Sequence, residues 1–121
     1  MRRDMELVRK IVFAIEASPS GFAPKPLKVD GYSDEVVGYH VHSMVQGGLV
    51  EGVEVTHQGS RSPQAQPTAL TWEGHEFADL ARNDTVWKKA MQTLGELGQS
   101  VTIALLMQLL TSVAKIRLGL P

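Results

Sequence analysis

The stretch Tyr39-His40-Val41-His42-Ser43-Met44-Val45-Gln46-Gly47-Gly48-Leu49-Val50-Glu51-Gly52 decides the fold. Its first half continues a helix that Ser33 caps, with Asp34 and Glu35 in the first turn, where carboxylates complement the positive end of the helix dipole. Val37, Val41, Met44 and Val45 recur at helical spacing and form the predicted buried stripe. Glu35, Tyr39, His42 and Gln46 fall opposite it and are expected to be exposed. The helix ends near Gln46, at Gly47-Gly48. From Leu49 to Thr56 the pattern changes to that of a strand, with Val53 and Val55 alternating against Glu54 and Thr56. A helix that folds straight onto the strand after it needs a tight glycine turn. It also needs a large apolar residue next, to seal the core, and Leu49 supplies it.

Downstream, His57–Pro67 is polar and carries Gly59, Pro63 and Pro67, so it reads as a loop. Thr68-Ala69-Leu70 returns as a short strand, which makes a hairpin with a loose tip. Thr71 caps a helix that starts at Trp72-Glu73-Gly74 and runs through Phe77, Leu80 and Ala81 to about Arg82. Asp84 is read as the cap of the next helix, whose stripe is Val86, Trp87, Ala90, Met91 and Leu94. Gly95 and Gly98 break it near Leu97. Ser100 is read as the cap of a last helix reaching about Leu118. Both tryptophans are expected in the core or at its edge.

Upstream, Asp4 to Ala17 is a helix with Met5, Val8, Ile11, Val12 and Ile15 on one face. Pro19 and Gly21 stop it, and Ser18–Pro26 is a proline-rich loop. Leu27-Lys28-Val29 suits a brief strand. The order is helix, short strand, helix, glycine turn, hairpin, helices. It predicts an α+β, winged-helix-like domain over 1–98, with a long apolar C-terminal helix over 99–121 packed on it. One departure is plain. A standard winged helix has a further helix before the one that Ser33 caps, and here a proline-rich loop stands in its place.

The resemblance then becomes specific. Leu70-Thr71-Trp72-Glu73-Gly74-His75-Glu76-Phe77 resembles the close of the wing in many winged-helix regulators. Together with Arg2-Arg3-Asp4-Met5-Glu6-Leu7-Val8-Arg9-Lys10-Ile11, Tyr39-His40, Gly48–Gly52 and Arg82-Asn83-Asp84-Thr85-Val86-Trp87, it resembles a family catalogued as domain of unknown function 2513. That family comprises bacterial and phage-associated proteins. The resemblance covers nearly the whole chain. It implies a fold and a phage or mobile-element context, and it brings no catalytic residues with it.

Composition bounds the function classes. The 121 residues include no cysteine, which removes disulfides, thiolate metal sites and cysteine nucleophiles, and fits a reducing cytoplasm. Net charge is −1, whereas a protein living by phosphate attraction is usually basic, so any nucleic-acid contact must be local. Arg9 and Lys10 interrupt the first apolar residues, so no signal-peptide core is read. The most apolar stretch, Val101–Ala114, is shorter than the about 20 residues of a membrane span and holds Thr102, Gln108, Thr111 and Ser112. His40 and His42 stand about 200° apart on a helix and do not share one ion, and no HExxH-type spacing occurs. No phosphate loop, serine elbow or paired carboxylates mark an active site. The chain is therefore read as a non-enzyme with no metal, no cofactor and no small-molecule substrate.

The remaining candidates are surfaces. On the helix after Ser33, Tyr39, His42, Ser43 and Gln46 could meet base edges or phosphates of double-stranded DNA. Arg61 at the hairpin tip would reach a minor groove or a phosphate. Asp34 and Glu35 work against this, and a protein-interaction adaptor that keeps the fold without binding DNA is the alternative. In the last helix apolar residues surround almost the whole cylinder, which predicts burial on several sides. Ile103, Leu106, Met107, Leu110 and Val113 are the expected interface of a homodimer. The alternative is burial of the helix within its own chain.

Overall fold

The computed structural model describes residues 1–97 and 102–120. These form five helices, α1 (Met5–Glu16), α2 (Asp34–Gln46), α3 (Trp72–Ala81), α4 (Asp84–Leu97) and α5 (Ile103–Leu118), and two strands, β1 (Val50–Glu54) and β2 (Ala65–Leu70). The chain is thus of the α+β class. It groups into two compact units, Met1–Ala78 and Asp79–Pro121, with the division falling inside α3.

In the first unit, α1 is capped by Asp4, whose carboxylate accepts the Leu7 N–H at 3.1 Å. Its buried face is the expected stripe with Leu7 added. α2 is capped by Ser33, whose hydroxyl accepts the Val36 N–H at 3.2 Å. β1 and β2 form an antiparallel hairpin in which Val50 opposes Leu70 and Glu54 opposes Ala65, with an irregularity between Glu51 and Gly52. β2 therefore starts inside what was expected to be loop, and Pro67 lies within it opposite Gly52. α2 packs on α1 and on both strands.

The two motifs that announced the hairpin meet in space. Gly48 turns with φ of +80°, a conformation that glycine adopts without penalty. The Thr71 hydroxyl donates to the Gly48 carbonyl at 2.5 Å and accepts the Gly74 N–H at 3.0 Å, while the Thr71 N–H bonds the Leu49 carbonyl at 3.1 Å. One threonine so ends the strand, caps α3 and pins both to the turn after α2. Gly74 is required because a Cβ there would stand 2.1 Å from the Leu49 carbonyl oxygen.

Several sequence expectations are corrected. No strand forms at Leu27–Val29. The contact beside β2 is made instead by Ala23, whose N–H bonds the Thr68 carbonyl at 2.8 Å. Pro24 and Pro26 lack N–H groups, so no ladder continues from there. The buried stripe of α2 contains His40, 1% exposed, whereas Val45 is only half-buried. Trp72 is 79% exposed and its indole N–H bonds Glu76, while Trp87 is buried as expected.

In the second unit α4 packs against α5. Asn83, not Asp84, accepts the Val86 N–H at 3.0 Å, and Asp84 is the first residue of the helix. α5 is capped by Thr102, which accepts the Leu105 N–H at 3.1 Å, and ends at Gly119 in the left-handed region. Gly98, Ser100 and Val101, to which a helix break, a cap and part of the apolar run were assigned, lie outside the described residues. None of the helices among the described residues is long and apolar enough to cross a membrane.

Candidate nucleic-acid interface

The expected contact residues divide into two groups. Tyr39, Ser43 and Gln46 follow at i, i+4 and i+7, so they share one stripe of α2. Gln46 is exposed, and Tyr39 and Ser43 are half-buried. Tyr39 presents its ring edge-on to His40, with centroids 5.9 Å apart. The side chains of Ser43 and Gln46 have no hydrogen-bond partner among the described residues. His42, in contrast, turns toward the hairpin, where its Nδ1 lies 2.8 Å from Oε2 of Glu54. It is half-buried rather than open, because that contact holds it against β1.

The hairpin tip is not loose. Ser60 N–H bonds the His57 carbonyl at 2.9 Å, His57 N–H bonds the Ser60 hydroxyl at 3.0 Å, and Gly59 N–H bonds Nδ1 of His57 at 3.0 Å. Below the tip, the Ser62 hydroxyl donates to Oε1 of Glu35 at 3.2 Å. Gln64 Nε2 donates to the Glu35 carbonyl at 2.9 Å and to the Ser62 hydroxyl at 2.8 Å. The hairpin is thereby tied to the first turn of α2. Gly38 makes room for the tie, since a Cβ there would overlap Oε1 of Gln64. Arg61 sits between the folded tip and this anchor. It is exposed and has no ion pair among the described residues.

Three carboxylates of α2 and β1 have partners. Asp34 accepts from Lys28 Nζ at 2.6 Å, Glu35 from Ser62, and Glu54 from the Thr56 hydroxyl as well as lying against His42. The Thr56 hydroxyl first, and His42 second, hold the Glu54 carboxyl below the ordinary carboxylate range. The Lys28 pair weakens the repulsion that Asp34 would exert on phosphates, whereas the uncharged Ser62 hydroxyl does not offset Glu35.

A second buried network stands behind the helix. His40 Nε2 accepts the Asp4 N–H at 2.9 Å, and its Nδ1 meets the Val36 carbonyl at 2.8 Å. A carbonyl only accepts, so the hydrogen lies on Nδ1 and the ring is the neutral Nδ1–H tautomer. Tyr32 donates its hydroxyl to Oδ2 of Asp4 at 3.0 Å, and partial burial, followed by this bond, pushes the phenol pKa up. The expected buried stripe of α2 did not include His40. The available signal was its helical spacing with Val37, Val41 and Met44, and for the hairpin anchor it was a glycine at 38 in a helix interior, which marks close approach.

A groove of about 260 Å³ opens between Pro24–Lys28, α2 and the hairpin. Its charged lining is Lys25, Lys28 and Asp34, the last two bonded to each other. Among the described residues no group of three or more histidines, aspartates or glutamates is placed to hold a metal.

On α5 the expected interface residues also divide. Leu106 and Leu110 are 0% exposed in the single chain. They belong to its interior, and a partner could not reach them without opening it. Ile103, Met107 and Val113 are half-buried. The open apolar side chains lie further along, at Ile116, Leu118 and Leu120.

No solved structure matches the chain. It is 32% identical over 102 residues to an uncharacterised protein of Haemophilus influenzae, covering 78% of this chain and 79% of that one. The family described as "Hypothetical protein (DUF2513)" matches residues 2–100, and the chain belongs to it.

Proposed function

We propose that this is a winged-helix protein of phage or mobile-element origin that binds double-stranded DNA as a homodimer in a regulatory role. The observation that carries the reading is the tie between wing and helix. Ser62 and Gln64 hold the hairpin on Glu35, so the exposed Arg61 is presented from a base fixed to the first turn of α2, the helix that carries Tyr39, Ser43 and Gln46. An unpaired arginine on an ordered wing is a suitable contact for phosphate or groove. For the dimer, the support is the half-buried Ile103, Met107 and Val113 together with the open Ile116 and Leu118 of α5.

Titration of the chain with labelled duplex at rising salt tests the function. Binding that weakens steadily as salt rises supports it, and no binding of any duplex at low salt rejects it. Sedimentation at micromolar concentration tests the dimer, and a clean monomer rejects it.

A protein-interaction adaptor is the second reading. The exposed Trp72, beside the exposed carboxylates Glu73 and Glu76, favours it, because a solvent-facing indole is a frequent anchor of protein interfaces. Capture of a protein partner that Trp72→Ala abolishes, by a chain that binds no duplex, selects this reading.

A further inference from the structure

We infer that Arg61 inserts into the narrow minor groove of A·T-rich duplex DNA, and that α2 lies along the backbone without entering the major groove. The inference rests on the duplex-binding reading above and assigns the groove and the base composition.

Charge placement argues it first. From Val55 to Trp72 the chain holds no aspartate or glutamate, and Arg61 is the only arginine or lysine. The far part of the hairpin is therefore free of carboxylates and carries a single full positive charge, while Glu51 and Glu54 lie on β1. α2 is the reverse. It carries no lysine or arginine between Asp34 and Gln46, and its first turn holds Asp34 and Glu35. Pushing the start of α2 between two rails of phosphate would bring those carboxylates, and Glu54 on the adjoining strand, into the most negative part of the duplex. The exposed Lys28–Asp34 pair offsets only part of that charge, and the uncharged Ser62 hydroxyl on Glu35 offsets none.

Geometry argues it second. Free loops lose binding energy when they are ordered on a partner. Here the ordering is already done on both sides of Arg61: the His57–Ser60 turn closes one side, and Ser62 and Gln64 anchor the other. The guanidinium itself is open. Such a single, preplaced cation gains most where the potential is deepest, in the narrowed minor groove of A·T tracts. A·T pairs also lack the guanine 2-amino group that would obstruct it there.

The test uses the full chain and three duplexes of equal length and flanks, with a central tract of A·T, G·C or inosine·C pairs. Inosine·C presents the major groove of G·C but lacks the 2-amino group in the minor groove. The A·T and inosine·C duplexes are expected to bind alike, and roughly tenfold more tightly than G·C. Arg61→Ala should bring all three to the G·C level, and Arg61→Lys should keep part of the preference. Circular dichroism confirms that the exposed-site variants fold. If inosine·C follows G·C, or if Arg61→Ala keeps the preference, the inference is overturned while duplex binding stands. If no duplex binds at low salt, both fail together.

Discussion

The backbone N–H of Asp4 donates to Nε2 of His40 at 2.9 Å, across 36 positions of sequence. The residue that caps α1 is thus gripped by a side chain buried in α2. The other ring nitrogen is committed to Val36, so the imidazole serves as a two-ended connector inside the core. Replacing it exposes the partners to loss, which costs more than the bonds themselves are worth. His40→Ala is expected to lower stability by about 2–4 kcal/mol through the cavity and the orphaned Asp4 N–H. His40→Leu keeps the volume more nearly and so brings out the hydrogen-bond part. Urea denaturation measures both, and an unchanged midpoint for His40→Ala would contradict the connector role.

Tyr32 closes the same network on Asp4. Its pKa is raised, so the neutral phenol is the form the fold favours, and the stabilisation is present below the ordinary tyrosine value and disappears as pH rises through the elevated one. Tyr32→Phe is expected to cost about 1 kcal/mol at neutral pH and to flatten the alkaline loss of stability. Thermal melts of both proteins from neutral to alkaline pH check this.

Glu54 titrates in the opposite sense. Its carboxyl is held low by Thr56 and His42, so its contribution is present above the ordinary carboxylate value and is lost as pH falls through the lowered one. Glu54→Gln should therefore show a shallower decline of stability in acid than the parent. In duplex titrations the same change should strengthen binding modestly, because it removes a negative charge beside His42.

Two glycines separate rigid from yielding neighbours. Gly74→Ala would drive a methyl group into the Leu49 carbonyl, which is backbone and cannot move away, and a loss of about 3 kcal/mol or more is expected. Gly38→Ala meets only the end of the Gln64 side chain, and alanine gains about 0.5–1 kcal/mol of helix propensity. That variant should stay folded yet release Gln64 from Glu35, which proteolysis or amide exchange at the hairpin would register as faster opening.

On α5, Leu110→Ala is expected to destabilise by about 2–5 kcal/mol, because the side chain has no exposure. Ile116→Ala, at a site 75% exposed, should stay within about 0.5 kcal/mol in the monomer. A larger effect at Ile116 that depends on protein concentration would point to the homodimer.

The order of elements was legible from Gly48-Leu49 and Leu70-Thr71-Trp72-Glu73-Gly74, because glycine turns, caps and apolar periods act over a few residues. Local signals of that kind also set the extents of α1, α2 and α4. Burial of His40, exposure of Trp72 and closure of the hairpin tip were decided only in three dimensions. A histidine is cheap to bury once Asp4 and Val36 supply its partners, and those partners lie on either side of a folded contact. Leu106 and Leu110 show the same limit. Periodicity marked them as apolar, but only the tertiary structure could say that their cover is already in the chain, since hydrophobic burial depends on area removed from water and not on sequence position.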